Sequence, residues 1–172
     1  MGLDRMYSGP MQNEREVGQP DLAADHPIAL FSRVWRALKG ARPLPCRADF
    51  HPRLVASALP FIIILERRAE PEPQYRYRLV GSEMQLMLGH NPTGQSLADI
   101  LSPDALKRRL RAYEGAFAQR QPVYLEGAVP VADRDFLPII SGYFPFAAEP
   151  FKQLFVLAAP TDWDRHELTG LY

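Results

Sequence analysis

Tyr75-Arg76-Tyr77-Arg78-Leu79-Val80-Gly81-Ser82 decides the fold of this chain. Bulky and basic side chains alternate from Tyr75 to Leu79, the period-2 pattern of a pleated strand. Gly81 is expected to free the backbone for a turn. Ser82 is expected to cap the helix begun by Glu83-Met84-Gln85-Leu86-Met87-Leu88. Three more strand-like segments appear only after Pro122, beyond a long amphipathic helix. The order strands, helices, strands outlines a small α+β domain and points away from a nucleotide-binding enzyme.

Working toward the N-terminus, Phe61-Ile62-Ile63-Ile64-Leu65 is a continuous apolar, β-branched run, expected to be a strand covered on both faces. Residues 66–74 hold charges and two prolines and read as the hairpin loop into the next strand. Residues 42–60 form a proline-punctuated connection with one short helix near 52–57. Ile28, Phe31, Val34, Trp35 and Leu38 make a helical stripe, with Pro27 in the first turn and Gly40 just past the end. Residues 1–24 are rich in Gly, Pro, Gln and charge without any period, which predicts a flexible tail.

Toward the C-terminus, His90-Asn91-Pro92-Thr93-Gly94 is a turn cluster, and residues 95–101 have room for one helical turn. Ser102-Pro103-Asp104 is a helix start: serine at the cap, proline in the first position, an acid near the positive dipole end. Leu106, Leu110, Tyr113 and Phe117 then define one helical face, and Gln121-Pro122 ends it. Residues 123–131, 135–146 and 153–159 are the last three strands. Pro138 and Pro145 suggest that the middle one is an edge strand or carries a bulge. The expected organisation is a tail (1–24), an N-terminal helix and proline-rich connection (25–60), a core (61–162) and a polar C-terminal tail (163–172) with a few aromatic anchors.

The 172 residues suit one domain with an N-terminal extension, and 47% hydrophobic residues are enough for a core. Twenty basic and twenty acidic residues cancel, so no global field recruits nucleic acid or an anionic membrane. The single cysteine, Cys46, excludes an internal disulfide and an all-cysteine metal cluster. No signal peptide or membrane span is legible, so a cytoplasmic location is expected. Seventeen prolines, about twice the usual share, cluster at element boundaries, where a missing N–H does least harm.

Two strands, a run of short helices, a longer helix and three antiparallel strands is the PAS order. Pro45-Cys46-Arg47-Ala48-Asp49-Phe50-His51-Pro52, the Tyr75–Ser82 octad and Gly89-His90-Asn91-Pro92-Thr93-Gly94 resemble the short stand-alone PAS-like proteins common in alphaproteobacteria. Those proteins typically carry a Trp near a leading helix (here Trp35), an Arg-x-Asp-Phe-x-Pro segment, an Arg-Tyr-Arg-Leu-x-Gly-Thr/Ser strand end and a Thr-Gly before the long helix. The resemblance covers residues 28–162 and departs at His90, where a charged residue is frequent. It implies a five-stranded antiparallel sheet with helices on one face and an N-terminal amphipathic helix. It also implies a non-enzymatic signalling or ligand-sensing module that works through protein contacts.

That resemblance directs attention to a cavity between sheet and helices, for which Ile64, Tyr77, Leu79, Met84, Leu88, Tyr113, Phe117, Tyr143 and Leu157 are candidate lining residues. The plainer account is that they pack on one another. A retained ligand would be small and apolar, and the cofactor is unknown. Haem would need a histidine; of His26, His51, His90 and His166, His90 alone falls in the helical half, and its setting reads as a solvated turn. Flavin photochemistry would need a cysteine at a helix start, and Cys46 sits in a proline-rich loop.

An enzyme, of small isomerase or cyclase type, would use Asp49, His51 or His90 as its acid–base group. Asp49 and His51 can point the same way on an extended segment, but no nucleophile, metal or phosphate-loop motif accompanies them. Lys107, Arg108 and Arg111 share the outward side of the long helix, either as a solvated face or as a docking face for an acidic partner; no aromatic platform interleaves with them for nucleic acid. The stripe Ile28, Phe31, Val34, Trp35 and Leu38 must bury itself somewhere. It either folds back on its own sheet or pairs with a second chain, and a homodimer is expected, with an unidentified signalling protein as further partner.

Overall fold

The computed structural model describes residues 11–131 and 134–163, so the expectations for His166 and for the tail after Trp163 lie outside the described residues. In chain order the elements are β1 (Gln12–Val17), α1 (Pro27–Lys39), β2 (Ile62–Arg68), β3 (Gln74–Val80), α2 (Ser82–Leu88), α3 (Leu97–Ile100), α4 (Pro103–Gln119), β4 (Val123–Val131), β5 (Arg134–Phe146) and β6 (Lys152–Pro160). Two 3-10 segments, Arg47–Asp49 and Pro52–Phe61, lead from α1 into β2. The strands form one antiparallel sheet of order β1-β4-β5-β6-β2-β3.

Two features of this α+β fold correct the expectation. The sheet has six strands rather than five, because Gln12–Val17, expected to be flexible tail, pairs with β4 from Gln12↔Ala128 to Val17↔Tyr124. Its side chains are mostly exposed, so backbone hydrogen bonds hold it and no side-chain period announces it. Helices also cover both faces rather than one. One core gathers Ile63, Leu65, Tyr75, Tyr77, Tyr143 and Val156 under α2, α3 and α4. The other gathers Ile62, Ile64, Phe144, Phe146, Phe155 and Leu157 under α1 and the 3-10 segments. Successive residues of Ile62–Leu65 point to opposite faces, and all four are buried.

The second core settles where the apolar stripe goes. Ile28, Phe31 and Trp35 are 0% exposed, and Val34 and Leu38 pack half-buried around them. Phe31 meets Phe144 at 4.8 Å and Phe155 at 5.6 Å between ring centroids. Each such burial contributes about 1.5–3 kcal/mol. The helix folds back on its own sheet, and these side chains are not displayed to a partner. Its N-cap is His26, whose Nδ1 accepts from the Ile28 N–H at 3.1 Å while Nε2–H donates to the Pro160 carbonyl at 2.9 Å. Burial holds His26 below its ordinary pKa, over the opposing pull of the Pro160 carbonyl and Asp25. The Trp35 indole donates to the Pro145 carbonyl at 2.9 Å.

Gly81 does a different job from the one expected. Its φ of −66° is open to any residue, and it is itself the N-cap of α2, with Ser82 already inside the helix. What excludes a side chain there is space: a Cβ would sit 2.4 Å from the Pro60 carbonyl oxygen and 2.5 Å from that of Leu59. The octad turns where it does because only a hydrogen fits beneath that loop.

β5 is not an edge strand, since it runs between β4 and β6, but it does carry an irregularity beside Pro138, where the step from Leu137 to Arg134 faces the shorter step from Val129 to Val131 in β4. Pro145 lies past Tyr143, the last β5 residue paired with β4 at that end. Pro138 lies one residue beyond Ile139, where pairing with β6 stops. Each stands where a neighbouring strand has ended, so the missing N–H leaves no ladder position empty.

Candidate functional site

The helical face is incompletely roofed. α2 runs for only 7 residues before Gly89, whose φ of 74° is left-handed and ends the helix, and α3 for 4. Beneath them lies a cavity of about 210 Å³. The sheet supplies its floor through Ile63, Tyr77, Val129, Ile139, Tyr143, Val156 and Ala158. Met84, Met87, Leu88 and Leu101 form the roof, and α4 adds Ala105, Arg109 and Tyr113. Met84 and Met87 give this wall flexible, unbranched side chains.

One polar assembly faces this apolar space. Arg109 donates to both carboxylate oxygens of Glu14 at 2.8 and 2.9 Å and to the Tyr143 hydroxyl at 2.9 Å. The two charged side chains are only 22% and 13% exposed, so the pair is bidentate and largely dry. Burial alone would lower the Arg109 pKa, but Tyr143, Tyr113 and Glu14 outweigh it and hold the guanidinium charged above its ordinary value. Burial raises Tyr113 and Tyr143 above the ordinary phenol range, keeping both protonated. Their rings meet edge-on at 4.9 Å.

Glu14 reaches this position through a β-bulge. Between paired positions, β1 advances from Gln12 to Arg15 while β4 advances only from Ala128 to Glu126. Asn13 takes a left-handed φ of 54° there, a conformation asparagine tolerates better than most residues. The extra residue re-aims the neighbouring side chain, and Glu14 meets α4.

A second ion pair fixes α4 to the sheet at its other end. Arg67 donates to Glu114 at 2.6 and 2.8 Å, and the Tyr75 hydroxyl donates to the same carboxylate at 2.6 Å. Burial would raise Glu114, but the hydrogen bonds from Arg67 and Tyr75 prevail and hold it below the usual carboxylate range. A wider cleft of about 610 Å³ opens between the β2–β3 and β5–β6 hairpins. It is lined by loop residues of both charges, among them Arg68, Glu70, Glu149 and Lys152, and lacks the apolar enclosure of a small-molecule site.

Of the candidate lining residues, Tyr77, Met84, Leu88, Tyr113 and Tyr143 meet in the cavity. Ile64 and Leu157 lie in the opposite core, because their strand positions have the other parity. Leu79 is 47% exposed, and Phe117 packs beside the cavity under the Arg67 guanidinium at 5.3 Å. Sequence reasoning missed Arg109 and Glu14. A signal existed for the first: Arg109 falls three residues after Leu106 and four before Tyr113, on the apolar face of α4. Lys107, Arg108 and Arg111 are exposed, with Arg108 at the cavity rim.

The acid–base candidates do not converge. Asp49 pairs with Arg42 at 2.7 Å on the surface, His51 and His90 are exposed, and none of the three lines the cavity. Among the described residues no group of three or more His, Cys, Asp or Glu is placed to hold a metal ion, and no helix is long and apolar enough to cross a membrane.

Residues 24–157 match the family described as PAS domain, and the chain belongs to that family. No curated protein matches it. The matched span includes the elements from α1 through β5 and most of β6, while β1, and Glu14 with it, precedes it.

Proposed function

We propose that this PAS domain is a non-enzymatic sensing module that takes up a small, largely apolar molecule in the cavity between the sheet and α2–α4, and passes the change to a protein partner. The observation that carries the reading is the cavity itself. Well-packed cores leave few voids larger than a water molecule, whereas this one has a volume of about 210 Å³, and short helices with methionine side chains roof it. Its aromatic and aliphatic wall, with a few convergent polar groups, is what a small-molecule site uses. Arg109 stays charged, the Tyr113 and Tyr143 phenols stay protonated, and the Glu14 carboxylate is taken up by Arg109.

Occupancy would press α2 and α4 away from the sheet, and α4 carries exposed Lys107, Arg108 and Arg111 on its outer side, where an acidic partner surface would read the shift. A homodimer is compatible with this reading, but through α1 it would require Ile28, Phe31 and Trp35 to leave their own sheet. Native mass spectrometry of the purified protein tests the reading. Extra mass on the folded chain that disappears on denaturation supports it. If the folded chain carries none, and toluene and indole at millimolar concentration leave the unfolding temperature unchanged, the cavity is only a packing defect.

A further inference from the structure

We propose that Glu14 is a resident carboxylate that occupies Arg109, the buried cation of the cavity, and that the ligand is a small apolar acid whose own carboxylate displaces it and releases β1. This rests on the cavity reading above and names the chemistry of its occupant.

The starting point is charge balance. Arg109 is largely buried, so a ligand that moved Glu14 aside and brought no anion would leave an uncompensated guanidinium beside an apolar space, which is strongly unfavourable. A carboxylate in the same place keeps both hydrogen bonds of the fork. One anion is exchanged for another, and Glu14 moves to water with its strand. The Tyr143 hydroxyl, already 2.9 Å from Arg109, gives the incoming group a second polar neighbour. The apolar remainder of the ligand lies along Tyr77, Met84 and Ile139. At about 210 Å³ the space takes an aryl-acetic or short-chain acid and is too small for a long fatty chain.

The strand is built to let go. β1 has 6 residues with mostly exposed side chains, and its ladder is broken beside Glu14. Apart from the Glu14–Arg109 pair, its side chains are held by the half-buried Val17 at the edge of the α1-side core and by Arg15–Glu126, whose Arg15 side chain is 73% exposed and which contributes little. The residues matched to the PAS domain begin at 24, so Glu14 is supplied from outside the matched span to a site inside it.

The test uses the full chain with phenylacetate and hexanoate, each against its own amide, and indole as a neutral apolar probe. Titration calorimetry reads affinity, and hydrogen exchange of residues 12–17 reads the strand. The expected result is that an acid binds at least tenfold tighter than its amide and raises exchange in 12–17 by tenfold or more. Glu14→Gln should tighten acid binding about tenfold, because the competitor is gone. The paired variant Glu14→Gln with Arg109→Gln, which leaves no lone buried charge, should bind acid and amide alike. Equal binding of acid and amide to the unaltered chain, unchanged exchange in 12–17, or no gain in Glu14→Gln would each overturn the exchange mechanism. If neither acid binds, indole separates the two claims: indole binding leaves the cavity reading standing and removes Glu14 displacement, and indole failing to bind removes both.

Discussion

Phe31→Ala distinguishes a helix packed on its own sheet from one that waits for a second chain. Phe31 is 0% exposed and makes ring contacts with Phe50, Phe144, Phe146 and Phe155 at 4.8–6.3 Å. Four rings around one position cannot collapse readily into the space left, so the loss belongs near the middle of the range for buried phenylalanine, about 4 kcal/mol. With a urea dependence of about 2 kcal/mol per molar for a domain of this size, the midpoint should fall by about 2 M. Total stabilities of about 5–15 kcal/mol leave such a variant folded in buffer. Urea unfolding followed by circular dichroism at two protein concentrations a hundredfold apart is the assay. The fall in midpoint should be the same at both. A loss under about 1 kcal/mol, or one that appears only in the dilute sample, would refute the packing described and return α1 to an interface between chains.

Gly81→Ala should cost about 1–3 kcal/mol, since the added methyl meets two carbonyl oxygens rather than a side chain that can yield; thermal unfolding checks it, and an unchanged midpoint would refute the close approach of residues 59–60. His26 has a native pKa below 6.5, so the unfolded chain takes up the proton first. Its contribution is complete above about pH 6.5 and is lost as pH falls from there through the native value, at up to about 1.4 kcal/mol per pH unit. Denaturant midpoints between pH 7.5 and 5 should show this slope, and His26→Asn, which still caps, should flatten it. Ala158→Leu, aimed into the cavity, should abolish binding of whatever small molecule the native chain retains, with the fold unchanged by circular dichroism.

Much of this architecture was legible because it is written in side-chain periodicity. The alternation at 75–80 and the stripe on α4 follow directly from burial on one face. Ile62-Ile63-Ile64-Leu65 even announced a sheet covered on both sides, a statement at odds with helices on a single face, and the residues were the better guide. What was hidden is held by backbone or by exceptions. Gln12–Val17 has no apolar rhythm because its edge position buries few side chains. Glu14 faces inward only because a bulge at Asn13 breaks the alternation that would have placed it. Arg109 sat in a basic cluster whose other members are solvated, and its register with Leu106 and Tyr113 was the one available sign. Ile64 and Leu157 show the limit of naming cavity residues without strand parity: correct strands, wrong side.

The way the sheet ends bears on how the protein behaves when concentrated. At one margin, residues 94–96 lie along β3, with Tyr77 N–H donating to the Gln95 carbonyl at 2.9 Å and Gly94 N–H to the Tyr77 carbonyl at 2.7 Å. At the other, a short, charged, kinked strand covers β4 from Tyr124 to Ala128. Exposed edges recruit like edges, and loops, charges and bulges are what discourage them. A chain shortened to begin at Gly18 would uncover the edge of Tyr124-Leu125-Glu126-Gly127-Ala128, with its backbone hydrogen-bonding groups unpaired. Its expected fate is strand exchange and precipitation, so Gln12–Val17 acts as a solubility device whether or not the cavity is occupied.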